Sequence, residues 1–208
     1  MTGRRPGFTL IEMLVVIVIL AILVSLVAVA VGGVQKSSKV SATETFLAQV
    51  VAALEQYKTR WGDYPPTSFA EIGGRAPNSV NEGVETLVAC LASKRRGNPF
   101  MVDEGRLANV DADKTDKNLT DWYFGDTALR EYTDYFGFVI SYVHHRNFAA
   151  PKADSMRYRV SEGDKEQQVG VERSGATATF LNVGKFQLRS PGPDGKFGTQ
   201  DDIWPAGN

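Results

Sequence analysis

Gly7-Phe8-Thr9-Leu10-Ile11-Glu12 stands directly before a long uncharged stretch, and this junction is the most informative feature of the chain. No charged residue occurs from Met13 to Gln35, and Met13 to Val31 is almost wholly aliphatic. At a rise of about 1.5 Å per residue, a helix of that length crosses a hydrocarbon core of roughly 30 Å. Arg4 and Arg5 precede the run, so the positive-inside rule predicts a cytoplasmic N-terminus and a translocated remainder.

Glu12 is the unusual feature of this segment, because an ionisable side chain at the start of an apolar run is costly and is usually kept for a partner. Two ordinary interpretations explain the run less completely. A secretory signal has an apolar core of about 7–15 residues followed by small residues, whereas this core is longer and Gly7 precedes it. A plain membrane anchor fits the length but requires neither Gly7 nor Glu12.

The order of basic residues, Gly7, Phe8 to Glu12 and an aliphatic run resembles the class III signal of type IV pilins and type II secretion pseudopilins. The resemblance covers residues 4–31. It implies that a prepilin peptidase cuts after Gly7 and N-methylates the new amino terminus on Phe8. It also implies that the Glu12 carboxylate neutralises the terminal ammonium of a neighbouring subunit. Opposite charges about 4 Å apart in a low-dielectric bundle attract by several kcal/mol, which offsets much of their desolvation.

Composition bounds the rest of the chain. With 208 residues and 43% apolar content, the chain can form one modest core outside the membrane. The net charge of −1 gives no argument for nucleic acid, and no nucleic-acid partner is expected. Cys90 is the only cysteine, which excludes the intrachain disulfide that closes a C-terminal loop in the many type IV pilins this chain resembles. On a predicted helix, Cys90 is expected to be a small buried hydrophobe.

The helix is predicted to continue beyond the apolar run. One apolar stripe recurs at alternating spacings of three and four residues, formed by Leu47, Val50, Leu54, Tyr57 and Trp61. The segment 62–66 then ends the helix, because Pro lacks an amide donor and fixes its own φ. The helix would run from about residue 8 to 61, and its second half would be the spine of a soluble head.

The head is predicted to combine a short helix with late strands. Ser79 and Glu82 have the spacing of a capping box, and an amphipathic pattern follows over 84–91. Stretches rich in β-forming residues predict strands over 138–143 and 156–160 and at least one more within 176–188. The expected class is α+β, with a long N-terminal helix, transmembrane in its first half, packed on a small antiparallel sheet in a pilin-like head.

Two groups of residues in the head suggest metal chemistry but are interpreted without it. Asp111, Asp113 and Asp116 invite a calcium site, yet an EF-hand starting at the first of them would need a Gly and a Glu that the sequence lacks, so a solvated loop is predicted. His144 and His145 are adjacent on a predicted strand and would point to opposite faces. We expect them to be ordinary residues at a strand end.

The tail from Ser190 to Ile203 is rich in Gly and Pro and is predicted to be a turn-rich loop. A compact loop would bring Asp194 against Asp201 and Asp202, where like charges repel unless a cation lies between them. Calcium takes six to eight oxygen ligands, which a flexible loop can supply. The alternative is an exposed acidic tail whose Asp-Gly is only a turn.

The tail also resembles the C-terminal Ser-x-Gly-x-Asp-Gly…Asp-Asp-Ile calcium loop of the major pseudopilin of type II secretion. The resemblance implies side-chain ligands from Asp194, Asp201 and Asp202 and carbonyl ligands near Ser190, Pro191 and Thr199. Structural calcium would then fasten the tail in place of the absent disulfide. Residues 66–175 do not match the short pseudopilin head closely and carry an enlarged insertion.

These features predict a structural, non-enzymatic subunit of a type II secretion pseudopilus. The alternative is a type IV pilin for adhesion, motility or DNA uptake. The expected organisation is a leader over 1–7, a transmembrane assembly helix over 8–35 and an extracytoplasmic head over 36–208, in a single-pass protein of the inner membrane. The expected partners are prepilin peptidase, further copies of the subunit with minor pseudopilins, the inner-membrane assembly platform and membrane lipid.

Two hypotheses come from other classes. An anchored enzyme would require a nucleophile–base pair or a closed metal constellation, and the chain offers two adjacent histidines, one cysteine and no Gly-rich phosphate loop. A signal-anchored binding module that never polymerises would tolerate the loss of Glu12, whereas an assembling subunit would not.

Overall fold

The computed structural model describes residues 7, 9–74, 78–92, 100, 103–115, 127–149 and 156–206, with 26–32 described by their backbone alone. Two compact units divide the chain, Met1–Lys39 and Val40–Asn208. The predicted α+β class is confirmed, because a long N-terminal helix is accompanied by small antiparallel sheets.

Helix α1 spans Leu10–Trp61, a length of 52 residues that agrees with the predicted range of 8–61. It ends where the sequence predicts. Gly62 takes a φ of +85° and donates its amide to the Lys58 carbonyl at 2.7 Å. Among the residues that the structure describes, no helix combines the length and apolarity that crossing a membrane requires.

The apolar stripe of α1 supplies one wall of the core in the second unit. Leu47, Val50 and Leu54 are fully buried, whereas Trp61 keeps 43% of its surface exposed. The predicted stripe is therefore confirmed except at its last member. Burying each of these aliphatic side chains contributes about 1.5–3 kcal/mol to folding.

Helix α2, Glu82–Ala92, is buried along its whole length. Gly83 allows this close packing, because a Cβ there would collide with the Tyr142 carbonyl and the Tyr158 hydroxyl. Cys90 is 4% exposed, which confirms its prediction as a buried residue. The helix lies against the strand residues around 131–132 and 141–144.

The predicted capping box at the start of α2 is wrong. The Glu82 carboxylate accepts hydrogen bonds from the Ser68 hydroxyl at 2.7 Å and from the Phe69 amide at 2.9 Å. The Ser79 hydroxyl accepts from Arg157 Nη2 at 2.7 Å. Asn81 at a φ of +59° separates the two box positions, so tertiary partners replace the local pair.

Short strands pair into two-stranded antiparallel sheets in the described part of the head. The pairs are β1 (Leu107–Ala108) with β2 (Glu131–Tyr132), β3 (Ser141–His144) with β6 (Phe186–Arg189), and β4 (Arg157–Tyr158) with β5 (Gln167–Gln168). Separate short sheets thus replace the single predicted one. The sequence predicts at least one strand within 176–188, and β6 confirms it. The strand begins only at Phe186, because Ala178, Asn182 and Gly184 adopt positive φ before it.

Candidate functional site

Glu12 caps the first turn of α1 together with Thr9. The amide and the hydroxyl of Thr9 both donate to Glu12 Oε2 at 2.8 Å, and the Glu12 amide donates to Thr9 Oγ1 at 3.3 Å. This reciprocal pair is a capping box, which supplies partners for amides that the helix leaves unpaired. The sequence signal for this cap is Thr9-x-x-Glu12. The sequence interpretation missed it, because it assigned Glu12 only to the ammonium of a neighbouring subunit.

The residues around Glu12 are open to solvent. Gly7 is exposed, and apart from its chain neighbours no atom of the described residues lies within 4 Å of the place where a Cβ would stand. Phe8 lies outside the described residues. Farther along α1, Ile17 is 62% exposed and Val24 is 68% exposed. Soluble monomers rarely leave a contiguous apolar surface of this extent open to water. The start of α1 is therefore a surface that needs apolar surroundings.

The tail closes on itself at its two ends. Ser190 and Ile203 exchange both backbone hydrogen bonds, at 2.9 and 3.0 Å. The Ser190 hydroxyl donates to Asp134 Oδ2 at 2.5 Å. Gly192, at a φ of +66°, is the residue that allows the closure, because a Cβ there would collide with the Asp201 carbonyl. The turn-rich loop that the sequence predicts is present.

The predicted calcium ligands of the tail have separate environments. Asp202 Oδ2 accepts from Arg189 Nη1 and from the Gly198 amide, each at 2.9 Å, while Asp202 Oδ1 is buried and has no hydrogen-bond partner among the described residues. Burial raises the pKa of Asp202, and the hydrogen bond from Gly198 and the charge of Arg189 oppose that shift. Asp194 is exposed and its Oδ1 accepts from the Lys196 amide at 2.9 Å.

The remaining predicted ligands of the tail are placed as follows. The Ser190 carbonyl accepts from the Ile203 amide, and the Thr199 carbonyl accepts from the Asp202 amide at 3.4 Å. Pro191 precedes the 3-10 turn at Gly192–Asp194. Asp201 donates its amide to Thr199 Oγ1 at 3.3 Å. Asp194, Asp201 and Asp202 do not come together as a group with ligand atoms within 4.8 Å in the described part of the chain.

Arg189 is the tail residue that sequence reasoning missed. Its side chain is only 3% exposed, and Nη1 pairs with Glu172 at 2.6 Å and with Asp202 at 2.9 Å. Nη2 donates to the Gly170 carbonyl at 2.9 Å. The sequence offered one signal for this role, an Arg at the end of an apolar strand. A buried Arg is costly unless carboxylates and carbonyls surround it. Arg189 therefore joins the tail to the rest of the head.

Comparison with known proteins identifies one segment of the chain. The prokaryotic N-terminal methylation motif matches residues 3–28, which include Gly7, Phe8 and Glu12. The chain carries the type IV pilin and pseudopilin signature. This signature implies processing by a prepilin peptidase and assembly with other pilin subunits, and its family is structural rather than enzymatic. No curated protein and no solved structure matched the chain.

Two groups of ligand-type side chains converge in the described head of this pilin-like chain. In the first group, ligand atoms of Asp63, His144 and His145 lie within 4.8 Å of one another. The prediction of opposite faces for the histidines is wrong, since their ring centroids are 4.3 Å apart. The reason is that β3 ends at His144 and a 3-10 turn begins at His145, which removes the strand alternation. Arg146 also binds Asp63, at 3.0 Å, so this group is already paired by cations and hydrogen bonds.

In the second group, ligand atoms of Glu85, Asp111 and Asp113 lie within 4.8 Å of one another. Glu85 is fully buried and Asp113 is 8% exposed, so the predicted solvated loop is wrong at this point, and Asp116 lies outside the described residues. Burial, followed by the charge of Asp113, raises the pKa of Glu85 well above its usual value. Burial and the neighbouring Asp111 raise the pKa of Asp113 to about 7. The loop aspartates are therefore part of the interior.

Proposed function

We propose that this chain is a structural subunit of a type II secretion pseudopilus. A prepilin peptidase cuts it between Gly7 and Phe8 and methylates the amino group of Phe8, and the mature subunit polymerises through its N-terminal helix. The single observation that carries the proposal is the methylation motif over residues 3–28, continuous with the exposed apolar start of α1. The leader is 1–7, the membrane and assembly segment is 8–35 and the extracytoplasmic head is 36–208.

The exposed apolar side chains at the start of α1 favour two successive steps, insertion into the membrane and packing in the filament. Lipid covers them while the subunit is stored in the inner membrane, and neighbouring helices cover them in the filament. Each Å² of apolar surface removed from water contributes about 25 cal/mol. The assembly platform and minor pseudopilins are the partners that this route requires.

Calcium in the tail is the second part of this proposal. Asp194, Asp201 and Asp202 would hold it, with carbonyls near Ser190, Pro191 and Thr199. Binding would have to draw the three carboxylates together, because the structure does not bring them within 4.8 Å of one another. The buried, unpartnered Oδ1 of Asp202 and the closed Ser190–Ile203 loop support it. Because Arg189 also binds Asp202, the ion would share that carboxylate with a guanidinium. Bound calcium would neutralise the acidic tail and hold its turns together.

A type IV pilin for adhesion, motility or DNA uptake is the second candidate, since the methylation motif serves both classes. The resemblance of the tail to the major pseudopilin favours secretion. Deletion of the gene separates the two. Loss of secreted proteins from the culture medium, with adhesion and motility intact, supports the pseudopilus, and the reverse outcome supports the pilin.

Mass spectrometry of the intact protein and of its N-terminal peptide tests the processing step. We expect a chain beginning at Phe8 with one added methyl group when the host carries prepilin peptidase, and a full-length chain in a peptidase-deficient host. Gly7→Val is the matched control, because Gly7 has free space around it and the substitution should block cleavage without disturbing the fold. An uncut chain in both hosts would identify an ordinary membrane anchor.

A further inference from the structure

Glu85 is a carboxylate without a partner in the interior of the head. Its exposure is 0%, and neither Oε1 nor Oε2 has a hydrogen-bond donor among the described residues. Its backbone is held at the start of α2, where the Glu85 amide donates to the Asn81 carbonyl at 3.1 Å. A buried carboxylate left in this state is strongly unfavourable unless a proton or a cation satisfies it.

Asp111 and Asp113 face Glu85 from the loop after β1, and one amide orients both of them. Asn78 Nδ2 donates to Oδ2 of Asp111 at 2.9 Å and to Oδ2 of Asp113 at 3.2 Å. The Oδ1 atom of each aspartate is buried and unpartnered within the described residues. Together with the two oxygens of Glu85, four carboxylate oxygens are therefore left without donors.

The backbone of this loop is also tied down before any ion binds. Asn109 Nδ2 donates to the Asp113 carbonyl at 2.8 Å, and the Asp113 amide donates to Asn109 Oδ1 at 3.1 Å. Glu131 lies close enough to influence the titration of Glu85, but its own oxygens accept from Asn81 Nδ2 at 2.9 Å and from the Val110 amide at 3.2 Å. Glu131 is therefore already hydrogen-bonded and is not one of the unpartnered ligands.

The spacing of the three carboxylates permits a hard divalent cation, and their four unpartnered oxygens would supply part of the six to eight ligands that calcium takes. Calcium–oxygen distances are about 2.3–2.6 Å, so ligands on opposite sides of the ion are roughly 5 Å apart, and one ligand atom from each residue lies within 4.8 Å of the others. All the donors are oxygen, which softer metals do not prefer. Both oxygens of Glu85 are free, which permits the bidentate binding that calcium accepts more readily than magnesium.

We propose that Glu85, Asp111 and Asp113 bind one calcium ion, at a site formed by residues other than those of the tail. The ion joins α2 to the loop over 109–113, which belongs to the enlarged middle of the chain. It acts there as a cross-link in a protein whose single cysteine excludes an intrachain disulfide. The inference goes beyond the proposed filament function and holds whether or not the chain polymerises.

Calcium titration of the full-length protein in detergent, after removal of metal by chelator, tests the site. Native mass spectrometry counts the bound calcium, and isothermal titration and melting temperature report its affinity and its effect on stability. We expect Glu85→Gln to remove one calcium equivalent, or to weaken its binding by about tenfold or more. The tail variant Asp201→Ala/Asp202→Ala is the control and should retain this equivalent. Magnesium at the same concentration should give a smaller rise in melting temperature.

The substitution Glu85→Gln also distinguishes cation binding from the main alternative, in which protons shared among the three carboxyl groups neutralise them. Glutamine keeps the shape of a protonated glutamate. If protons alone occupy the group, Glu85→Gln will bind as much calcium as the wild type and melt at the same or a higher temperature, which overturns the proposal. If Glu85→Gln does not fold, Asp111→Asn replaces it, because Asp111 lies at the half-buried rim, and unchanged calcium binding by that variant also overturns the proposal.

Cleavage at Gly7 does not depend on this cluster, so the two proposals fail separately. Normal N-terminal processing with no calcium equivalent lost in Glu85→Gln rejects the metal site alone. An uncut chain that still loses one equivalent in Glu85→Gln rejects the filament function and supports the metal site.

Discussion

In a single chain, the Glu12 carboxylate is held by the amide and the hydroxyl of Thr9. In the proposed filament, the same carboxylate would bind the terminal ammonium of a neighbouring subunit. The two roles differ in chemistry, because a helix cap needs only an acceptor oxygen, whereas an ion pair in an apolar bundle needs the charge. Substitutions that remove one property at a time therefore distinguish the roles.

We expect Glu12→Gln to abolish filament assembly and Thr9→Val to permit it. Glutamine serves in a capping box but carries no charge, while valine removes the Thr9 hydroxyl and leaves the Glu12 charge intact. Assembly is measured by electron microscopy and by shearing filaments from cells, with N-terminal processing checked in both variants. Two outcomes would instead assign Glu12 to helix capping. One is normal filaments from Glu12→Gln, and the other is a loss of filaments in Thr9→Val but not in Glu12→Gln.

At the scale of elements, helices follow the sequence more closely than strands do. The bounds of α1 were predicted within two residues at its start and at its last residue, because a stripe with a period near 3.6 and a Gly-to-Pro stop are local features. β3 and β6, in contrast, pair residues far apart in the chain, such as Ser141 with Arg189. The β-propensity of each segment does not predict which segment it pairs with. The late strands were therefore placed only roughly.

The junction between β6 and the tail supports a stability prediction. Replacing Arg189 with Met should lower the free energy of unfolding by about 3–5 kcal/mol, because it leaves the carboxylate of Asp202 buried without its cation. Lys185→Met is the matched control. Its pair with Glu55 is long, at 3.8 Å, and both side chains are about half exposed, so we expect about 0–1 kcal/mol.

Urea unfolding of the full-length variants in detergent provides the comparison for this pair. Equal losses in Arg189→Met and Lys185→Met would show that the buried ion pair does not fasten the tail. If the tail also binds calcium, added calcium should restore part of the stability that Arg189→Met loses.

For the whole molecule, the acidic cluster in the head predicts how stability depends on pH. Burial is the main cause of two raised pKa values, that of Asp113 at about 7 and that of Glu131 at about 8. Below the usual carboxyl pKa of about 4, Asp113 and Glu131 are protonated in both the folded and the unfolded chain, so they do not lower the free energy of unfolding. As pH rises toward 8, the unfolded chain loses these protons first, so the folded state becomes less stable.

We expect the melting temperature of the chelated wild type to fall from pH 5 to pH 8 relative to Asp113→Asn, which lacks one of the titrating groups. The corresponding difference in free energy should be on the order of a few kcal/mol. Saturating calcium should remove most of the difference, because the cation replaces the protons. Parallel curves for the two proteins in chelator would contradict the raised pKa of Asp113.

The sequence alone determined the N-terminal signature, the extent of α1, the burial of Cys90 and the turn-rich tail, because each depends on the order and spacing of neighbouring residues. Only the tertiary structure brought Glu85 against Asp111 and Asp113, and Arg189 between Glu172 and Asp202. Those contacts join residues far apart in the chain, and whether a charge is buried depends on every element packed around it. Local pattern therefore identified the pilin-like signature, while long-range packing determined which of its acidic residues are buried together.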